Sequence, residues 1–124
     1  MPEFGSQSRH HLNECHPDLV KVAEEAIQHY DFSVIEGHRP RVEQNWAFEN
    51  GNSKIKFPYS KHNKTPSEAM DLVPYPVDWH QLGRFKELAT VVKKAAKTVG
   101  VEIEWGHDLW NWDFPHWQLG QKQW

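Results

Sequence analysis

Apolar positions recur at helical spacing in two stretches of this chain and gather into four short runs elsewhere. In residues 17–30, PDLVKVAEEAIQHY, the residues Leu19, Val22, Ala23, Ala26, Ile27 and Tyr30 share one helical face, and Pro17 suits a first turn. Residues 79–98 repeat the pattern with Leu82, Phe85, Leu88, Ala89, Val92, Ala95 and Ala96, and Gly100 is placed to cap that helix. Runs at 32–38 (FSVIEGH), 69–75 (AMDLVPY), 101–105 (VEIEW) and 116–119 (HWQL) predict short strands. Residues 41–49 predict a short helix, closed by the turn pair Asn50-Gly51. The rest is loop: a polar stretch at 52–68 broken by Pro58 and Pro66, and an aromatic one, GHDLWNWDFP. Two main helices and about four short strands predict an α+β domain on a small, largely antiparallel sheet.

Composition narrows the class. The 124 residues fit one domain, able to bury roughly 65% of the surface its unfolded form exposes. A net charge of −3, with no stripe of Lys and Arg, lacks the footprint of a nucleic-acid binder. Cys15 is the only cysteine, so neither an intrachain disulfide nor a cysteine cage for a metal can form. No apolar run approaches the roughly 20 residues of a membrane span, and no signal-peptide core precedes the domain, so a soluble, cytoplasmically made chain is expected. The opening MPEFGS reads as a cloning scar, which leaves residues 1–8 as a disordered lead and 9–124 as the single domain. The outliers are 7 Trp and 9 His. The first supply apolar walls; the second make metal or acid–base chemistry worth seeking.

The stretch SKHNKTPSEAMDL, residues 60–72, holds His62 and Asp71 nine positions apart with Pro66 between them. They cannot share a helix face as the histidines of an HExxH motif do, and can meet only across a loop. A third candidate stands far away in WDFPHW, where Asp113 and His116 flank Phe114-Pro115. Three ligands suffice for a catalytic metal that keeps one position for water, and two imidazoles with one carboxylate leave a net positive centre suited to hydrolysis. Asp113, three residues before His116, can carry the proton such a reaction moves, and Arg39, beside Gly37, can meet negative charge on a carbonyl oxygen.

These blocks in this order, EGHRPRVEQN, then SKH and AMDL, then WG and DFPHW, resemble the LAS-type M15 metallopeptidases of peptidoglycan. The likeness is greatest to phage endolysins that cut between L-Ala and D-Glu, and it runs from about Arg9 to Leu119. It implies the fold shared by Hedgehog and D-Ala-D-Ala peptidases, and one zinc per chain held by His62, Asp71 and His116. It further implies Asp113 as catalytic base and Arg39 at the oxyanion, with Ser60 and Gln44, which match the family's positions, as candidate substrate contacts. His107 is added as a candidate substrate contact because it lies near the proposed site. The implied partner is the peptidoglycan stem peptide, with no nucleic acid and no membrane insertion, for a monomer made in a host cytoplasm and acting on the wall after release.

The sequence departs from the family pattern in three places. His38 stands where an aromatic is usual, WGHDLW replaces a Gly-Gly, and the link from His62 to Asp71 is longer and free of glycine. That link is where substrate preference is expected to lie, and no separate wall-binding domain is expected within these residues. Two readings compete: a D-alanyl-D-alanine carboxypeptidase or dipeptidase using the same site, and a non-catalytic, metal-containing wall-binding module. A thiol protease built on Cys15 and His16 has no surrounding motif, and a nuclease would need a basic patch. Trp105, Trp110, Trp112 and Trp117 are expected mainly in the core, with room for one or two of them to wall the groove, and Glu102 and Glu104 on a solvated strand face.

Overall fold

The computed structural model describes residues 2–120 and lays a four-stranded sheet against two long helices. The strands are β1 (Phe32–Glu36), β2 (Ala69–Pro74), β3 (Ile103–Trp105) and β4 (His116–Leu119). They run in the order β1-β2-β4-β3, and every neighbouring pair is antiparallel. The helices are α1 (Ser6–Leu12), α2 (Pro17–Ile27), α3 (Arg41–Glu49), α4 (Leu82–Val99) and α5 (Gly106–Trp110), with a 3-10 turn at Lys61–Asn63. This is the α+β fold that the hydrophobic pattern predicts.

Strand alternation divides the sheet into two faces. Phe32, Val34, Met70, Leu72, Trp105, Trp117 and Leu119 point to the helices and form the core with Leu19, Val22, Leu88 and Val92. Each such large apolar side chain taken out of water contributes about 1.5–3 kcal/mol. Asp71, His116 and Gln118 take the opposite parity and so face away from that core. Between Val34 and Glu36 the register shifts by a β-bulge, with Val34 opposite Leu72 and Glu36 opposite Asp71. The extra residue, Ile35, reverses the alternation and brings Glu36 to the same face as Asp71.

The helix ends follow local chemistry. His16 caps α2, its Nδ1 accepting the Asp18 N–H at 3.0 Å, and Pro17 opens the first turn. Gly100 closes α4 in the left-handed region at φ 74°. α4 starts at Leu82 rather than 79 because Asp78 Oδ1 accepts the His80 N–H and holds the preceding residues in a turn. α2 stops at Ile27, short of Tyr30, whose hydroxyl donates to Glu87 on α4 at 3.0 Å.

The N-terminus differs from expectation. Residues 1–8 were expected outside the fold, yet α1 begins at Ser6 and Phe4 packs edge-on against Phe32 at 5.3 Å between ring centroids. β1 is an edge strand with backbone groups in need of partners, and Ser8 Oγ accepts the Val34 N–H at 2.9 Å. Covering an exposed edge in this way is what orders the segment. At the other end, residues 121–124 of the expected 9–124 domain lie outside the described residues.

Candidate metal centre and cleft

His62, Asp71 and His116 converge. Asp71 and His116 face each other directly across β2 and β4. His62 arrives from the 3-10 turn, where Ser60 Oγ accepts the His62 N–H at 3.1 Å and Asn63 Oδ1 accepts the Ser60 N–H at 3.0 Å. This reciprocal cap fixes a turn too short to hold itself. His62 Nε2 lies 3.2 Å from Asp71 Oδ1 and 3.2 Å from His116 Nδ1, and His116 Nδ1 lies 3.5 Å from Asp71 Oδ1. Ligand atoms held about 2.1 Å from one tetrahedral cation stand about 3.4 Å apart, so the triangle matches three corners of such a site.

The outer nitrogens decide which atoms face inward. His62 Nδ1 is 2.8 Å from the Gly37 carbonyl, which can only accept, so the ring carries its proton there and presents a lone pair at Nε2. His116 Nε2 is 2.9 Å from Gln118 Oε1, and Gln118 Nε2 donates to Glu104 Oε1 at 3.0 Å, which fixes the amide's orientation. His116 Nδ1 is therefore the inward lone pair. Two lone pairs and a carboxylate aimed at one point fit a divalent cation. Burial alone would raise the Asp71 carboxyl, but the two imidazoles outweigh it and hold Asp71 well below the usual carboxylate range. Burial works against charge on His116, and Asp71 reverses that and raises it.

Asp113 and Arg39 line the same cleft, of about 510 Å³. Burial pushes Asp113 above the ordinary carboxylate range, opposed by His116. The Asp113 segment packs closely on α5: a Cβ on Gly106 would stand 2.7 Å from the Asp113 carbonyl oxygen and 2.9 Å from His116 Cβ. Arg39 is braced. Its Nε donates to Glu36 Oε1 at 2.9 Å, one Nη donates to Gln44 Oε1 at 2.9 Å, and the other pairs with Glu36 and lies 3.9 Å from Asp71 Oδ2. Three of its five N–H groups are thus engaged and two remain. The Arg39 backbone is tied to the ligand turn as well, its N–H donating to the His62 carbonyl at 2.7 Å.

Three sequence expectations change. Gln44, matched to a substrate-side position, is fully buried at 0% exposure and acts inside the wall: its Nε2 donates to Ser53 Oγ and the Ile55 carbonyl while its Oε1 holds Arg39. Ser60 lines the cleft, but its hydroxyl caps the His62 turn. His107 is wedged between Trp105 and Phe114, with ring centroids at 4.8 and 4.6 Å, and among the described residues it does not line the cleft.

The long link after His62 also turns away. Ser67 accepts from the His16 N–H and donates its own N–H to Glu14, each at 2.8 Å, so this segment packs on the α1–α2 junction. The cleft walls are instead residues 52–55, Trp79 with Leu82 and Phe85, and the 110–115 stretch. Of the four clustered tryptophans, Trp110 and Trp112 are the two that wall the cleft, 39% and 49% exposed, whereas Trp105 and Trp117 are buried in the core. Glu104, expected on a solvated face, holds Gln118. Sequence reasoning missed Gln118 as a support of His116, although its place two residues after His116 on one strand puts both on one face.

The chain is similar over most of its length to known peptidases. The family model described as phage L-alanyl-D-glutamate peptidase matches residues 2–118. The L-alanyl-D-glutamate peptidase of Escherichia phage T5 is 32% identical over 114 residues, spanning 88% of this chain and 82% of that protein. The crystal structure of Serratia marcescens L-Ala D-Glu endopeptidase ChiX superposes with a TM-score of 0.82 at 31% identity, covering 95% of this chain and 90% of that one.

Proposed function

The chain belongs to the phage L-alanyl-D-glutamate peptidase family, and on that premise we propose that it hydrolyses the L-Ala–D-Glu bond of the peptidoglycan stem peptide. The observation that carries the reading is the convergence of His62, Asp71 and His116 beside Asp113 and Arg39 in one cleft. The donor set of two imidazoles and one carboxylate suits zinc. When bound by His62, Asp71 and His116, such an ion would supply Lewis-acid polarisation of the scissile carbonyl and acidify a water.

The chain's own residues do the rest. Asp113 takes a proton from the attacking water as its oxygen adds to the L-Ala carbonyl carbon, and returns it to the D-Glu nitrogen as the C–N bond breaks. The products are an L-Ala carboxylate and a D-Glu amine. Arg39, immobilised by Glu36 and Gln44, offers its two remaining N–H groups to the carbonyl oxygen as charge builds there. Because its partners fix the guanidinium before substrate arrives, little reorganisation accompanies the reaction.

The substrate lies in the wall, and the reading has the chain act there as a monomer after leaving the cytoplasm. No helix among the described residues is long and apolar enough to cross a membrane. The test is mass spectrometry of peptidoglycan fragments digested by zinc-loaded protein, with Asp113→Asn as control. New L-Ala carboxyl termini and D-Glu amino termini are expected, with a rate about 10²–10⁴-fold lower in the variant and zinc still bound. Loss of terminal D-Ala alone would place the activity with the carboxypeptidases instead. Wall binding without cleavage would make the chain a binding module.

A further inference from the structure

Six tryptophans lie among the described residues, and they divide by location. Trp105 and Trp117 stack in the core at 5.7 Å. Trp79, Trp110 and Trp112 are 53%, 39% and 49% exposed, and all three line the cleft. Trp46 is exposed at 59% but does not line it. Half-exposed indoles concentrated on one concave surface mark a ligand face, since apolar area of that size is unfavourable in water.

Two of these rings are held in place. Trp79 stacks on Phe85 at 5.5 Å with 27° between planes, and the Trp110 ring lies 5.3 Å from the ring of His116. Trp110 thus stands directly beside the metal cluster, in the cleft that Trp79 and Trp112 also line.

The two residues that flank the scissile bond offer that surface little. The L-Ala offers one methyl group and the D-Glu a carboxylate. In the same polymer, however, the L-Ala nitrogen is joined through a lactyl group to a glycan strand, so a sugar stands one short linker from the scissile bond. Its pyranose rings carry flat C–H faces edged by hydroxyl and acetamido groups, and an indole offers the matching combination of apolar face and N–H donor. Resting on the peptidase reading above, we propose that Trp79, Trp110 and Trp112 form a saccharide subsite that holds the glycan strand beside the stem peptide being cut. The chain thereby grips the wall with its catalytic domain.

The probe is glycan oligosaccharide stripped of its stem peptides, titrated into zinc-loaded protein and followed by tryptophan fluorescence. Saturable binding is expected, weakened at least about 5-fold by Trp112→Ala and by Trp79→Ala, with Trp46→Ala binding like wild type. Trp112 is 49% exposed, so Trp112→Ala is expected to leave the fold intact, which an unchanged Tm checks. In parallel, the ratio of kcat/KM on glycan-linked over glycan-free stem peptide is expected to exceed about 10 in wild type and to fall toward one in Trp112→Ala. Absence of binding, or binding indifferent to these indoles, overturns the subsite. So does loss of self-association, or of vesicle binding, in Trp112→Ala without any effect on glycan. If neither peptide is cut while glycan binds at the indoles, the peptidase reading fails and the subsite stands.

Discussion

His62 Nε2 and His116 Nδ1 face each other at 3.2 Å, while the second nitrogen of each ring is committed to an oxygen, the Gly37 carbonyl in one case and Gln118 Oε1 in the other. Two inward lone pairs at that distance repel unless a cation stands between them. Removal of metal by a chelator is therefore expected to lower Tm, by about 10 °C relative to protein in metal at 100-fold excess over Kd. One equivalent of zinc should restore it, and His62→Ala should abolish the difference. Scanning calorimetry with metal analysis checks this; equal Tm with and without metal would sink the assignment.

Gln118 reaches the metal centre through His116, and Glu104 through Gln118. Gln118→Leu removes the acceptor that holds the ring's proton outward, and affinity for zinc is expected to fall about 10–100-fold. Competition against a chromophoric chelator measures it. Glu104→Ala should give a smaller loss in the same direction, because the amide is then free to turn over.

Gly106 owes its identity to space. A methyl there meets the Asp113 carbonyl oxygen at 2.7 Å and His116 Cβ at 2.9 Å, and neither is the tip of a flexible side chain. Gly106→Ala is expected to cost about 1–3 kcal/mol by overpacking. Because both neighbours belong to the site, a shift near 1 Å should also lower kcat/KM about 100-fold. Urea unfolding and peptide kinetics report the two effects separately.

Arg39 uses a planar fork to meet Glu36 and Gln44 together. Lysine keeps the charge but cannot span both partners, so Arg39→Lys is expected to reduce kcat about 10–100-fold with a smaller change in KM. Full activity in this variant would mean that charge alone, without a fixed direction, is enough.

Cys15 is buried against α1, with Sγ 3.5 Å from the His11 carbonyl. Burial foremost, then the charges of Glu14 and Asp71, push its thiol up to about 12. The native thiol is expected to react with a disulfide reagent at pH 8 at least about 100-fold more slowly than in urea. Since the folded chain holds this proton more tightly than the unfolded one, the stability it contributes is complete below about 8.5. That contribution is lost as pH rises toward 12. Alkaline unfolding curves of wild type and Cys15→Ala should diverge in that window.

Much of the site was legible because its chemistry is carried by residue type and order. His62, Asp71, Asp113 and His116 stand in a distinctive order, and β2 and β4, which carry Asp71 and His116, show themselves as short apolar runs bounded by turn residues. The missing pieces are those that tertiary structure creates. α1, SQSRHHL, has no apolar stripe, and its order comes from covering the β1 edge through Ser8 and Phe4. Gln44 reads as a surface amide until the fold buries it between Arg39 and the 53–55 wall. The His62–Asp71 link reads as a substrate loop because it is long and polar, but the Ser67 backbone pairs with Glu14 and His16 and its hydroxyl donates to the Ala69 carbonyl. Nor does periodicity separate the indoles of the cleft from those of the core, since burial depends on which strand or turn each one leaves.

The bulge at Ile35 gives the sheet something like a reading frame. Glu36, Asp71 and His116 stand in one row across β1, β2 and β4 only because a single supernumerary residue offsets the first strand. Restoring the regular ladder would turn Glu36 toward the helices and leave Arg39 without its main anion. Chain length within residues 34–36 is therefore as much a determinant of the site as any side chain in it. Changes in loop length can be accommodated around the cleft rim, whereas one residue gained or lost at this point would scramble the row.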